Sequence, residues 1–189
     1  MRKLSVFNSI SLDGFFTDEH NSLEWAHRYG SDPEYGAWIG ENARSGGGAL
    51  VFGRKTYDMM VSYWPSPQAK KDNPVVAEGM NAAPKIVFSR RLESSAWTNT
   101  RMIKGDAVAE MKKLKAGDGS DLVLMGSGQI VAQLAAAGLV DSYTLPVVPV
   151  VLGKGRTMFD GVARPFDLTL RGTRSFKNGI VVLSYERAR

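Results

Sequence analysis

The stretch "DLVLMGSGQIVAQLAAAG", residues 121–138, runs from an apolar segment straight into glycines and then into a helical pattern. Ser127 is a helix-capping residue type, and Gly138 marks the end of the helix. Gly126 and Gly128 allow the backbone to approach a neighbour or a ligand closely. A buried strand followed at once by a helix is typical of a parallel sheet. The helix start is also a potential anion site, with a simple tight turn as the alternative.

Further apolar segments, rich in β-branched residues, predict the rest of the sheet at residues 4–10, 49–52, 85–89, 142–148 and 179–185. Helical patterns separate the early segments, at residues 32–44 after the Asp32-Pro33 pair and at residues 106–117 between Asp106 and Gly117. This alternation predicts an α/β fold with three layers, α/β/α, around a mostly parallel mixed sheet. Because Asn178-Gly179 is a strong turn signal, the C-terminus is predicted to form an antiparallel hairpin. Residues 62–79, rich in proline and charge, are predicted to be an irregular surface excursion.

Composition narrows the possible functions. The 189 residues suit one domain over residues 1–189, and the absence of cysteine excludes disulfides, cysteine-ligated zinc and thiol nucleophiles. No metal site is predicted. The sequence shows no signal peptide or membrane span, so we expect a cytoplasmic protein without a membrane partner. The net charge of +5 is scattered, which favours an anionic ligand such as a phosphorylated cofactor over nucleic acid.

Two more strand ends carry chemistry suited to phosphate. In "ALVFGRKTYDMM", residues 49–60, a strand ends at Gly53 and the basic pair Arg54-Lys55 precedes Thr56 at a helix start. The nucleotide-binding P-loop pattern fails here because the strand lies between the glycines. In "PKIVFSRRLES", residues 84–94, a strand ends at Ser89, Arg90 and Arg91, which could hold the 2′-phosphate of NADP. For residues 49–60 the alternative to a phosphate site is a simple capped helix start. For residues 84–94 the alternative is a solvated sheet edge.

The turn at residues 126–131 matches the Rossmann dinucleotide pattern only in part, since Val131 stands at the third glycine position. Ligands of open α/β sheets bind beyond the carboxyl ends of the strands. Three phosphate-friendly strand ends therefore predict one shared ligand site.

The order of these motifs carries a resemblance that spans nearly the whole chain. "SLDGF", "GRKTY", "KIVFSR", "GSGQ" and "LVDSYTLPVVPVVLGKG" follow one another as in the dihydrofolate reductase-like superfamily. The closest branch is the reductase domain of the riboflavin-biosynthesis deaminase/reductase. The deaminase half of that enzyme has a zinc motif that needs cysteines. This chain has no cysteine, so we expect it to correspond to the reductase half alone.

The resemblance implies an NADPH-dependent reductase, often a homodimer, that transfers hydride to a small heterocyclic or pyrimidine-ribose-type substrate. It also implies a set of cofactor-binding residues: Gly53, Arg54, Lys55, Thr56, Ser89, Arg90, Arg91, Gly126, Ser127, Gly128, Gln129 and Ile130. A nucleotide-binding sensor without turnover is the alternative function. True dihydrofolate reductases bind the pterin through an acid on the first helix, for which this chain offers Glu34 and Glu41.

The loop "SLDGFF", residues 11–16, allows either a hairpin or a ligand-covering loop. The polar residues 17–25 show no strand alternation, so we expect a loop, with Phe15 or Phe16 over the nicotinamide. The candidate substrate-binding residues are Asp13, Phe15, Trp25, Trp38 and Tyr57. For Trp25, Trp38 and Tyr57 the alternative is packing in the core. For Asp13 the alternative is a structural role in the turn. Asp13, Glu24 and a water molecule are the candidate proton donors. His20 and His27 are predicted to be surface residues, with proton donation as the alternative.

Overall fold

The computed structural model describes residues 1–45 and 48–188. Its strands are β1 (Leu4–Phe7), β2 (Ile10–Ser11), β3 (Phe15–Thr17), β4 (Ala49–Gly53), β5 (Lys85–Phe88), β6 (Thr100–Ile103), β7 (Leu122–Met125), β8 (Ser142–Val148), β9 (Arg156–Thr157), β10 (Leu168–Ser175) and β11 (Val181–Arg187). Its helices are α1 (Glu24–His27), α2 (Pro33–Ser45), α3 (Arg54–Tyr63), α4 (Pro67–Asp72), α5 (Pro74–Ala82), α6 (Ala107–Ala116) and α7 (Gly128–Ala136). Within the described ranges, no helix combines the length and the apolar character needed to cross a lipid bilayer.

The main sheet has nine strands, eight of them in the order β10-β11-β8-β1-β7-β4-β5-β6, with β2 beside β8. Every pairing from β8 through β1 to β6 is parallel, and the C-terminal hairpin β10–β11 joins β8 antiparallel. The predicted α/β fold with a mostly parallel mixed sheet and a C-terminal hairpin is confirmed.

Helices cover both faces of the sheet, as β4 illustrates. Val51 packs into a core cluster that includes α6 and α7, whereas Leu50 and Phe52 pack into another that includes α3 and α5. Successive side chains of a strand point to opposite faces, so a strand covered on both sides reads as a continuous apolar run. The apolar segments of the sequence were informative for this reason.

Two sequence expectations were wrong in detail. Residues 62–79 are mostly helical, because Ser66 caps α4 by accepting a hydrogen bond from the Ala69 N–H (3.1 Å), and Pro67 and Pro74 open α4 and α5. Proline suits the first turn of a helix, so its presence here marked helix starts. The predicted strand over residues 4–10 breaks after Phe7 and resumes at Ile10. The strand β6 was missed because it is short and only half apolar.

We expect Tyr143→Phe to stabilise the fold. The Tyr143 ring is fully buried in β8, and its hydroxyl has no hydrogen-bond partner in the described part of the chain. Removing a buried unsatisfied hydroxyl should raise the free energy of unfolding by ~1–2 kcal/mol, measured by urea denaturation at neutral pH. A less stable variant would contradict this account. As a control, Tyr29→Phe removes a hydroxyl that donates to the Pro149 carbonyl (3.2 Å), and should not stabilise.

The same variant should change the alkaline limb of the stability curve. Burial raises the pKa of Tyr143 to about 12, above the value of about 10 for an exposed tyrosine. Between these values the unfolded chain has lost the proton that the folded chain still holds, so wild-type stability falls as pH rises from about 10 to about 12. Tyr143→Phe should lose stability less steeply over that interval.

Candidate active site

A cavity of about 570 Å³ lies where the parallel strands β1, β4, β5 and β7 end. The residues that follow β1, β4 and β7 form one side of it. The short strand β3, the short helix α1 and Arg156 of β9 form another. This is the position at which open α/β sheets bind ligands.

Two of the three phosphate-friendly motifs meet in this cavity. Nine of the predicted cofactor residues line it: Gly53, Arg54, Lys55, Thr56, Gly126, Ser127, Gly128, Gln129 and Ile130. They meet because β4 and β7 are parallel neighbours, so the turns that follow the two strands are adjacent. Helices α3 and α7 therefore both begin at the cavity.

Ser127 joins the two turns. Its backbone is left-handed, with φ of 57°, and its Oγ accepts a hydrogen bond from the Gly53 N–H (2.6 Å). Its own N–H and Oγ–H reach Thr56 Oγ1 at 3.0 and 2.9 Å. The serine thus holds α3 beside α7 instead of capping α7 through its side chain. Neither helix start has a side-chain cap within the described structure, which leaves N-terminal N–H groups suited to an anion.

Gly126 and Gly128 are required by close approach. Gly126 has φ of 60°, and a Cβ there would lie 2.6 Å from Thr56 Oγ1 and Cγ2. A Cβ at Gly128 would lie 2.6 Å from Cε1 of the Phe16 ring. Any side chain at either position would therefore displace a wall of the cavity.

The loop of residues 11–16 brings Phe16 to the cavity. Phe16 lines it and is 7 % exposed, whereas Phe15 is absent from its lining and packs towards Gly155. Strand β3 pairs with β9 and not with β1, so the hairpin alternative is wrong. Phe15, the candidate substrate contact, therefore lies outside the cavity, and its neighbour Phe16 takes the cavity position.

Asn8 is a site residue that sequence reasoning missed. It is 6 % exposed, and its Oδ1 accepts a hydrogen bond from the Gly126 N–H. Its Nδ2 donates to the Gly126 carbonyl (3.3 Å) and to the Met158 sulfur (3.0 Å). Asn8 thereby fixes the glycine turn to the end of β1. A polar amide directly after an apolar strand was the available signal.

The third motif lies in an adjoining depression of about 150 Å³, which shares Phe88 and Ile130 with the larger cavity. Ser89 and Arg90 line it, as does Lys104, which the sequence did not single out and which pairs with Glu93 (2.6 Å). Ser89 Oγ accepts hydrogen bonds from the N–H groups of Arg91 and Leu92 and so shapes the turn. Arg91 lines neither space.

Residues 2–182 match the family model described as the RibD C-terminal domain. The chain belongs to this family. Two relatives in Bacillus subtilis strain 168 are the uncharacterized proteins YyaP, 27% identical over 97% of this chain and 94% of its own, and YwjB, 26% identical over 99% of both.

Solved structures share the fold of this RibD C-terminal domain. One, from Shewanella sp. PV-4 and provisionally named for riboflavin biosynthesis, has a TM-score of 0.74 at 21% identity over 99% of both chains. Another is a Thermotoga maritima diaminohydroxyphosphoribosylaminopyrimidine deaminase/5-amino-6-(5-phosphoribosylamino)uracil reductase. It has a TM-score of 0.62 at 14% identity, over 99% of this chain and 57% of its own. A pyrimidine reductase-like protein of Corynebacterium diphtheriae has a TM-score of 0.64 at 14% identity, over 100% of this chain and 92% of its own.

The two acidic candidates for proton donation do not line the cavity of this RibD C-terminal domain. Asp13 accepts hydrogen bonds from Ser11 Oγ (2.6 Å) and from the N–H groups of Leu152 (3.1 Å) and Gly153 (2.7 Å). These bonds, that from Ser11 foremost, lower the pKa of Asp13 and give it the turn role. Glu24 is exposed at the start of α1. Glu34 of α2 pairs with Arg174 at 3.1 Å and is not a cavity residue either.

The three large aromatic candidates pack in or against the hydrophobic core, which was the alternative to a substrate-binding role. Trp25 is 2 % exposed in a cluster with Phe176, and Tyr57 is 4 % exposed beside Trp97. Trp38 is half-buried, and its ring lies 6.0 Å from that of Phe7, a cavity residue. None of the three lines the cavity. Helical periodicity turned these side chains towards the sheet, where burial of a large ring is most favourable.

The lining of the cavity is rich in cations. Arg54, Lys55 and Arg156 line it, with Arg54 also paired to Asp58 at 2.9 Å, and no aspartate or glutamate lines it in the described ranges. Thr17 also borders it, 8 % exposed, with a hydroxyl that has no partner in the described residues. No cluster of three or more potential metal ligands occurs in the same ranges. The site is therefore suited to an anionic organic ligand with hydrogen-bonding groups.

Proposed function

We propose that this RibD C-terminal domain is an NADPH-dependent reductase of a small heterocyclic or pyrimidine-ribose-type compound. The observation that carries the proposal is the meeting of two helix starts, a glycine turn and several cations in a single cavity at the strand ends. Family membership supports a reductase, and the Thermotoga maritima neighbour is named for a pyrimidine reductase activity.

The residues present fit a phosphorylated dinucleotide. Backbone N–H groups at the starts of α3 and α7, with Arg54 and Lys55, would hold the pyrophosphate. The absence of a side chain at Gly126 and Gly128 lets Thr56 and Phe16 pack against the turn, which keeps the walls of the cavity in place around the cofactor. Arg90 and Lys104, in the adjoining depression, would hold the 2′-phosphate that distinguishes NADPH from NADH.

The other side of the cavity fits the substrate. Phe16 would exclude water from the reacting atoms, and Leu23 and Ala26 offer an apolar surface for a planar ring. Arg156, which is paired with Thr17 across β3 and β9, offers a positive charge. When bound, a reduced nicotinamide supplies a hydride, and the protein supplies orientation and electrostatics.

Cofactor titration tests the proposal directly. NADPH should bind at least about tenfold more tightly than NADH, as measured by quenching of protein fluorescence. Arg90→Ala should remove most of that preference by weakening NADPH alone, because a charge-assisted bond to a phosphate contributes ~1.5–3 kcal/mol. Equal affinity of the wild type for both cofactors would contradict the assignment of the 2′-phosphate to Arg90.

The matched control is Arg101→Ala. Arg101 is exposed on the neighbouring strand β6 and lines neither the cavity nor the adjoining depression. The variant has the same loss of charge and should bind both cofactors as the wild type does. If Arg101→Ala weakens NADPH as much as Arg90→Ala does, the preference reflects overall charge and not a defined contact.

A nucleotide sensor without turnover is the second candidate. The lack of a carboxylate in the described lining of the cavity favours it, since both acidic candidates for proton donation, Asp13 and Glu24, lie outside the cavity. Stopped-flow oxidation of NADPH against pteridines, pyrimidine ribosides and quinones separates the two functions. Tight NADPH binding with no oxidation by any compound would favour the sensor.

A further inference from the structure

Reduction of a C=N or C=O bond needs a proton as well as a hydride. The hydride brings both electrons and one hydrogen to carbon, and the π electrons move to nitrogen or oxygen, which must then take up one proton. We propose that His27 is the catalytic acid, and that its imidazolium N–H delivers this proton to the substrate. This inference rests on the reductase function proposed above.

Among the side chains that line the cavity, elimination leaves His27 as the proton donor. Asp13 and Glu24 do not border it, and no other carboxylate does so among the described residues. Arginine does not give up its proton in proteins, which removes Arg54 and Arg156. Lys55 lies at the start of α3, where it would hold the cofactor phosphates. Histidine is the side chain that ordinarily exchanges a proton between pH 5 and 8.

The position of His27 suits repeated proton delivery. It ends α1, where its N–H donates to the Leu23 carbonyl (3.4 Å) and its carbonyl accepts from the Gly30 N–H (3.0 Å). Its side chain is exposed to solvent and also lines the cavity. It can therefore regain a proton from water after each turnover without any opening of the site.

The surrounding charges set the expected pH dependence. Arg54 and Lys55 of α3 and Arg156 of β9 line the same cavity, and Glu24 is exposed on the same helix as His27. Only a protonated ring can donate a proton, so the rate of hydride transfer should fall as pH rises.

Single-turnover stopped flow tests this with 5-amino-6-(5-phosphoribosylamino)uracil as the probe substrate. His27→Gln should slow NADPH oxidation by about 100-fold, the lower end of the effect of general acid catalysis. It should leave NADPH affinity unchanged, and its rate should lose the pH dependence that the wild type shows. A His27→Gln rate and pH profile that match the wild type would overturn the assignment. If the wild type oxidises NADPH neither with this probe nor with any compound of the panel described above, the proposed reductase function falls instead.

A second measurement needs no turnover. The chain has two histidines, so their ring proton signals can be assigned in an NMR spectrum by comparison with His20→Gln. His20 is exposed beside Glu19 and does not border the cavity, and its variant should retain full activity. Addition of NADP+ should shift the His27 signal and leave that of His20 in place. A bound cofactor that moves neither signal would place His27 outside the reacting region and overturn the proposal.

Discussion

Gly126→Ala is expected to weaken NADPH binding by roughly 100-fold or more and to lower the free energy of unfolding by ~2–4 kcal/mol. Gly126 has φ of 60°, a left-handed conformation that costs a residue with a side chain ~1–2 kcal/mol. In addition, the new methyl group would meet Thr56 Oγ1 and Cγ2 at 2.6 Å. No flexible chain end is available to yield, because Thr56 is buried in the first turn of α3.

The binding loss should exceed the loss expected from instability alone. Thr56 Oγ1 accepts both hydrogen bonds from Ser127, and Ser127 in turn accepts from the Gly53 N–H. Displacing Thr56 would separate the starts of α3 and α7, and both are needed for the pyrophosphate in our proposal. Isothermal titration with NADPH at a temperature where the variant is fully folded isolates this effect.

Gly36→Ala is the control for this substitution. Gly36 lies inside α2, and a Cβ there meets nothing within 4 Å. Alanine should stabilise this position by up to ~1 kcal/mol, since glycine is unfavourable in a helix interior. If Gly126→Ala were folded and bound NADPH like Gly36→Ala, the close approach of the two turns would have no role in cofactor binding.

The sequence predicted the sheet well because most of its strands are covered on both faces. Strands such as β4 and β5 are continuous apolar runs, and the Asn178-Gly179 turn marked the C-terminal hairpin. Elements without that burial were lost or misjudged. Strand β6 is short and only half apolar, and α4 and α5 were concealed by prolines that in fact lie at their first positions.

The site was predictable where it depends on strand ends and not where it depends on side-chain direction. Parallel pairing of β4 with β7 is enough to bring Gly53 and Gly126 to one edge of the sheet. Whether Phe15 or Phe16 faces inward depends on the pairing of β3 with β9, a contact between residues far apart in sequence. The position of Trp25 in the core likewise depends on Phe176, which lies at the other end of the chain.

Asn8 shows the same limit for a polar residue. Its role arises from two hydrogen bonds to Gly126, a residue 118 positions away in the sequence. From the sequence alone it reads as one polar residue in an apolar strand. In the structure it ends β1 and orients the turn on which the proposed cofactor site is built.

Asn8→Ala should therefore lower the free energy of unfolding by about 2–3 kcal/mol and weaken NADPH binding at least about tenfold. Truncation leaves the Gly126 N–H and carbonyl without their side-chain partner, at a position where Asn8 is only 6 % exposed. Urea denaturation and NADPH titration measure the two effects separately.

Asn8→Asp should separate the donor from the acceptor role. An aspartate can still accept from the Gly126 N–H but cannot donate to the Gly126 carbonyl, so two acceptors would face each other. We expect it to be at least as destabilising as alanine, because a buried charge without a cation is costly. Asn42→Ala, which removes an exposed amide that donates to the Trp38 carbonyl (2.7 Å), should change stability by less than about 0.5 kcal/mol. If Asn8→Ala lowers the free energy of unfolding as little as Asn42→Ala does, the glycine turn holds its shape without β1. The proposed role of Asn8 in orienting that turn would then be wrong.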